Sequence, residues 1–103
     1  MRKAKTYKIH LLGKPYMLIY RAVIGMEDTA AGAFNAADME IEIDPKYNLA
    51  YQKEALIHEI VECINAQCEL ELPHPKIQIL GMGIAQALND NEIIRQKLLG
   101  DRG

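Results

Sequence analysis

Residues 54–65 (EALIHEIVECIN) bring together three side chains that can carry acid–base or metal chemistry. His58, Glu59 and Glu62 form the pattern H-E-x-x-E in a run of good helix formers. A helix turns about 100° per residue, so His58 and Glu62 lie on one face about one turn apart, and Glu59 is rotated away from them. Since an isolated charge is costly to bury, charged groups on so apolar a helix need a partner, water or a metal.

A third candidate ligand, His74, follows Glu62 by twelve residues and stands between Pro73 and Pro75. A proline-bounded turn can swing His74 back toward the helix. Imidazole and carboxylate groups are both ordinary zinc ligands, and a catalytic zinc takes three protein ligands plus water. His58, Glu62 and His74 are therefore the candidate metal ligands. The spacing of His74 alone does not decide whether it is the third ligand, a partner of a ligand or neither.

Other ligand sets stay open at this point. A carboxylate in the second ligand position makes the metal a poorer Lewis acid and allows Mn²⁺ or Fe²⁺ to compete with zinc. Glu69 and Glu71 are nearby carboxylates that can take the place of His74. Cys63 and Cys68 form no C-x-x-C pair and lie about 140° apart around the helix, which disfavours a disulfide and indicates reduced thiols, with thiolate ligation as the alternative.

Residues 54–91 resemble a group of small phage and prophage proteins. The resemblance lies in an H-E-[IV]-[IV]-[HE]-[AC]-[IL]-N helix, a short Leu/Glu-rich stretch with a His, and a helix ending in L-x-D-N; it extends over about residues 39–91. Those proteins are related to minimal zincin-like metallopeptidases, whose H-E-x-x-H helix supplies two zinc ligands and a general base. Glu62 departs from that pattern because it stands where the second His is expected.

The resemblance implies a zinc-dependent peptidase-like protein that acts on a peptide or protein, with Glu59 as general base toward a metal-activated water. In such folds an edge strand beside the metal helix can pair with an extended peptide, and the strand over 39–44 is expected in that role. One alternative is a catalytically inactive relative that binds a protein partner. Another is a helical interaction module without metal, in which Glu59 and Glu62 are ordinary solvated side chains.

The pattern of apolar and turn-forming residues predicts an α+β domain. A small antiparallel sheet of about three strands is expected to pack on the long helix and its antiparallel neighbour. A loop, or a turn plus an irregular edge around residues 32–35, is expected over 25–37. Asn48 is a typical N-cap residue. The predicted elements are a β-hairpin within 1–24, a strand over 39–44, the metal-bearing helix over 49–69, a second helix over 75–90 and a short helix over 92–99.

Alternation in the strand over 39–44 predicts that Ile41 and Ile43 face the core and that Asp44 faces solvent. In the second helix, Gly81 and Gly83 each cost about 1 kcal/mol relative to Ala. Close packing of both glycines against the first helix is the expected compensation.

The length, charge and hydropathy of the chain limit the classes of protein to which it can belong. The 103 residues suit a single domain with one core, and the net charge of −2 gives no sign of nucleic-acid binding. No apolar run reaches the length of a membrane span, and no secretory signal is evident, so the cytoplasm is the expected compartment. The sequence does not indicate an oligomeric state.

Overall fold

The α+β class is confirmed by a computed structural model that describes residues 4–22 and 31–100. Within those ranges, none of the helices combines the length and the hydrophobicity that a membrane span requires. The elements in chain order are β1 (Lys5–Leu11), β2 (Lys14–Tyr20), β3 (Gly32–Asn35), β4 (Glu40–Ile43), α1 (Leu49–Cys68), α2 (His74–Asp90) and α3 (Glu92–Leu99).

The four strands form one mixed sheet in the order β1-β2-β4-β3. β1 and β2 make the expected antiparallel hairpin, and Leu12 and Gly13 adopt the positive φ values of its tight turn. The sheet differs from the expected three antiparallel strands in two respects. β3 lies within the stretch expected to be a loop, whose residues 25–30 fall outside the described ranges, and β4 runs parallel to β2. The parallel pair arises because β3 occupies the edge and the returning β4 inserts between it and β2.

The core lies between β4 and α1. Ile41 and Ile43 are fully buried on one face of β4 and pack with Ala55 of α1, as the alternation predicts. Complete burial of each isoleucine contributes about 1.5–3 kcal/mol. The prediction for Asp44 is wrong, because this carboxylate is buried. It accepts a hydrogen bond from the backbone N–H of Lys46, and its burial is tolerated because it closes the turn after β4.

α1 lies between the sheet and α2, because it contacts β3 and β4 on one side and α2 on the other. Asn48 caps its N-terminus by accepting a hydrogen bond from the Tyr51 N–H, at 2.9 Å.

Of the two free thiols, Cys63 is buried and Cys68 is exposed. A hydrogen bond with the Cys63 thiol, together with burial, raises the pKa of Tyr16 on β2. The predicted absence of a disulfide between these cysteines is confirmed.

The contact between α1 and α2 is closest at Gly81. A Cβ atom added there would lie 3.2 Å from the Cα atom of His58, so the two helix backbones meet without a side chain between them. Gly83 has nothing within 4 Å of an added Cβ. The expected close packing therefore holds for Gly81 and is wrong for Gly83. Ile77 of α2 is buried, whereas Leu80 is exposed, so one side of α2 carries apolar residues that α1 does not cover.

Gly81→Ala and Gly83→Ala form a matched pair that tests this contact. We expect Gly81→Ala to lower the free energy of unfolding by about 1–3 kcal/mol, because the new methyl group pushes α2 away from His58. Gly83→Ala should raise it by about 0.5–1 kcal/mol, because alanine favours the helix and meets no neighbour. Urea unfolding at low protein concentration measures both values. Equal effects of the two substitutions would contradict the described contact.

Candidate metal centre

Three predicted ligands, His58, Glu62 and His74, converge at the junction of α1 and α2. One Glu62 carboxylate oxygen lies 3.4 Å from His58 Nε2 and 3.5 Å from His74 Nδ1. One ligand atom from each of the three residues lies within 4.8 Å of the other two. The imidazole rings of the two histidines lie 5.2 Å apart between centroids, in an edge arrangement with their planes 60° apart. Residues from two helices thus present two nitrogens and one oxygen to a common point.

The chain returns to Glu62 through the short link between the helices. α1 ends at Cys68, and the next helix starts at His74, directly after Pro73. His74 is therefore the first residue of α2 rather than part of a turn, and Pro75 occupies the first helical turn, where its missing N–H costs no hydrogen bond. This placement aims the His74 side chain at the α1 face that bears Glu62.

Asn65 holds this link in place. Its Oδ1 atom accepts a hydrogen bond from the Leu72 N–H at 2.9 Å, and its Nδ2 donates to the Leu72 carbonyl at 3.4 Å. Two link residues, Glu69 and Glu71, adopt left-handed conformations that cost about 1–2 kcal/mol each in a residue other than glycine. The Asn65 amide therefore helps to offset a strained path that ends two residues before His74.

Sequence reasoning did not identify Asn65. A signal was present, because asparagine side chains readily bond nearby backbone groups, and this one stands near a helix end before a proline-bounded link. The pairing with Leu72, seven residues later, depends on the conformation of the whole link. Residue types alone do not give that conformation.

The three side chains of the cluster differ in their exposure to solvent. The side chain of His58 is 4% exposed, that of Glu62 is 17% exposed and that of His74 is 50% exposed. The buried Nε2 atom of His58 has no hydrogen-bond partner among the described residues. The Glu62 carboxylate oxygen lies 3.4 Å away from it. A buried ring nitrogen without a hydrogen bond fits a metal ligand. The exposed His74 leaves one side of the cluster open.

The spacing of the donor atoms agrees with this interpretation. Two atoms that are each about 2.0–2.2 Å from a tetrahedral zinc ion lie roughly 3.3–3.6 Å apart. The two distances from the Glu62 oxygen, 3.4 and 3.5 Å, fall in that range. The cluster contains neither Glu69 nor Glu71, which are both exposed, and neither cysteine. His74 is therefore the third ligand that the geometry favours.

Glu59 occupies a different side of α1. It is fully buried, and its Oε2 atom would lie 3.2 Å from a Cβ atom added to Gly32 of β3. The carboxylate thus packs against the sheet edge, while its neighbour His58 packs against Gly81 of α2. Glu59 is not one of the three clustered residues, and its expected role as a general base stays a prediction.

Two cavities differ in their relation to the cluster. A crevice of about 50 Å³ between α1 and α2 opens on His58 and is also lined by Glu54, Gln78 and Met82. That volume suits one or two water molecules, since each occupies about 30 Å³ of liquid. A cavity of about 850 Å³ lies over β1 and β2, and its lining includes Tyr7 but none of the clustered ligands.

Comparisons with protein-family models, with curated proteins and with solved structures found no match. The likeness of residues 54–91 to small phage zincin-like proteins therefore stays a prediction. Any function assigned to the cluster must be argued from its own geometry and chemistry.

Asn65→Ala tests how the link is held. We expect the free energy of unfolding to fall by about 1–3 kcal/mol, because the partly buried Leu72 backbone loses both hydrogen bonds. Asn89→Ala is the matched control, since the Asn89 side chain bonds only the exposed Asp90, and its effect should stay within about 0.5 kcal/mol. Urea unfolding compares the two variants. An Asn65→Ala variant as stable as the Asn89→Ala variant would contradict the role of Asn65.

Proposed function

We propose that this chain binds a divalent metal ion, with zinc as the best fit, through His58, Glu62 and His74. The observation that carries the proposal is the convergence of three ligand atoms from two helices within 4.8 Å. Two of these residues come from one turn of α1 and the third comes from the start of α2. Three protein ligands with one open side are typical of a catalytic zinc site, whereas structural sites are closed by a fourth protein ligand.

The donor set limits which metal is held. Two imidazole nitrogens and one carboxylate oxygen suit zinc, and the same set accommodates Mn²⁺ or Fe²⁺. The absence of a clustered cysteine sulfur disfavours the softest ions. The two free thiols are compatible with a reducing compartment, and the cytoplasm is the proposed location.

The activity that we propose is metal-dependent hydrolysis of a peptide or protein, as in zincin-like proteins. A bound zinc supplies Lewis acidity and lowers the pKa of a coordinated water toward neutrality. In this chain His58 and Glu62 would hold the ion from the rigid helix α1. The half-exposed His74 leaves the solvent side of the site accessible. Glu59 is proposed as the group that accepts a proton. The expectation that the strand over 39–44 pairs with a peptide as an edge strand is wrong, because β4 lies between β2 and β3; β3 is the edge strand that contacts α1.

A catalytically inactive protein-binding module is the second candidate. The complete burial of Glu59 favours it, because a general base must reach the water whose proton it accepts. The narrow crevice beside His58 favours it too, since a substrate side chain needs more than about 50 Å³. In this case the metal would stabilise the junction of α1 and α2 and take no part in chemistry.

Metal content is the first test. The purified protein, loaded with zinc and dialysed, should retain about one equivalent, since the part of the chain that the structure describes holds one set of three candidate ligands. His58→Ala, Glu62→Ala and His74→Ala should each lower zinc affinity by at least about tenfold. His10→Ala is the matched control, because His10 is exposed on β1 of the sheet and is not part of the cluster between the helices. This variant should retain the full equivalent of zinc. Retention of zinc by all three ligand variants would overturn the proposal.

Glu59→Gln separates the two candidates. If the protein hydrolyses a fluorogenic peptide library, this substitution should lower turnover by about a hundredfold or more while zinc is retained. Glu54→Gln, which changes a half-buried glutamate of α1 outside the cluster, should leave turnover within a few-fold of the parent. A parent protein that binds zinc but turns over no peptide would leave the binding module as the function.

A further inference from the structure

The side of α2 that faces away from α1 is apolar in its middle and charged at both ends. Residues of this outer face are Lys76, Ile79, Leu80, Gly83, Ala87 and Asp90. The spacing of three, four and seven residues places them on one stripe of the helix. The stripe lies opposite Ile77 and Gly81, the residues that α2 buries against α1.

The outer face is unusually exposed for apolar residues. Ile79 is 68% exposed and Leu80 is 44% exposed, while Gly83 has nothing within 4 Å of an added Cβ. Met82 and Ile84 are exposed as well, but they lie between the outer face and the side that contacts α1, and Met82 lines the crevice beside His58. A contiguous apolar patch on a small domain marks an interaction surface, because water solvates such a patch poorly.

The charges at the two ends show which partner fits. Lys76 precedes Gly83 by seven residues and Asp90 follows it by seven. Both are exposed, and neither forms an ion pair within the part of the chain that the structure describes. A helix of the same sequence that runs antiparallel and crosses at Gly83 would place its Asp90 beside Lys76, and its Lys76 beside Asp90.

We propose that the outer face of α2 pairs with the same face of a second copy of this chain, antiparallel and related by a twofold axis at Gly83. This pattern is self-complementary, as a twofold interface requires: if one residue contacts a second residue of the other copy, that second residue contacts the first in return. Gly83 allows the two helix axes to approach toward the lower end of the usual 8–10 Å range. Lys76 and Asp90 each lie about 10 Å along the helix axis from Gly83, so in an antiparallel pair each stands opposite its counterpart on the other copy.

Apolar burial and charge have separate roles in this pairing. Ile79 and Leu80 of each copy would be removed from water and would supply most of the affinity. Exposed ion pairs contribute little affinity, but they select orientation, since a parallel pairing would set Lys76 against Lys76 and Asp90 against Asp90. The buried side of α2, with Gly81 against His58, is unaffected, so this inference does not depend on metal binding.

Sedimentation velocity of the full chain, from low to high micromolar concentration, tests the pairing. The parent should pass from monomer to dimer. Ile79→Glu should weaken dimerisation by about a hundredfold or more, because the substitution puts a charge in the interface of both copies. Leu70→Glu is the matched control, since Leu70, like Ile79, is an exposed apolar residue but lies outside α2. This substitution should leave dimerisation unchanged. A parent that stays monomeric, or an Ile79→Glu variant that dimerises like the parent, would overturn the proposal.

Charge exchange tests the orientation. Lys76→Glu alone should weaken dimerisation by about three- to tenfold, because it sets two carboxylates together at each end. Adding Asp90→Lys to the same chain should restore the parent affinity, which only the antiparallel arrangement predicts. Failure of the second change to restore dimerisation would overturn the antiparallel pairing. Circular dichroism should show equal helix content in all these variants, which separates lost association from lost folding.

Discussion

The close approach of α1 and α2 at Gly81 is the contact on which the candidate site depends. With no side chain between the helices, the backbone of His58 and that of α2 come together, and the start of α2 is drawn over the face of α1 that bears Glu62. His74 then meets Glu62 at 3.5 Å. A helix spacing wider by one methyl group would separate the imidazole of His74 from the two candidate ligands on α1, so a glycine outside the cluster governs its geometry.

α1 presents the candidate ligands and Glu59 to different neighbours. His58 and Glu62 face α2 and form the cluster, whereas Glu59 faces β3 and is fully buried. Adjacent residues on a helix point about 100° apart, so the H-E-x-x-E pattern can contact two neighbouring elements. The proposed metal binding and the proposed proton transfer would therefore depend on different contacts in this fold. A protein of this kind can lose catalysis and retain its metal, which is why the binding module remains a serious second candidate.

Much of this architecture was predictable from local sequence signals. The alternation in β4, the Asn48 cap and the proline-bounded break before α2 are short-range features, and the structure contains all three. The edge strand β3 was predicted only as a loop or an irregular edge, because Gly32–Asn35 contains little periodic pattern and its pairing with β4 is set by tertiary contacts. Burial of Asp44 and exposure of Gly83 were missed for the same reason, since neighbours distant in the sequence decide them.

The three candidate ligands were likewise identified from residue type and spacing, but their convergence required the geometry of the link. X-ray absorption spectroscopy of the zinc-loaded protein would show whether one ion is held by two imidazoles and a carboxylate. A first shell of nitrogen and oxygen at about 2.0–2.1 Å, with the outer-shell pattern of two imidazoles, is expected. Scattering from sulfur at about 2.3 Å, or a shell without imidazole, would show that the ion is held elsewhere and would overturn the proposed site.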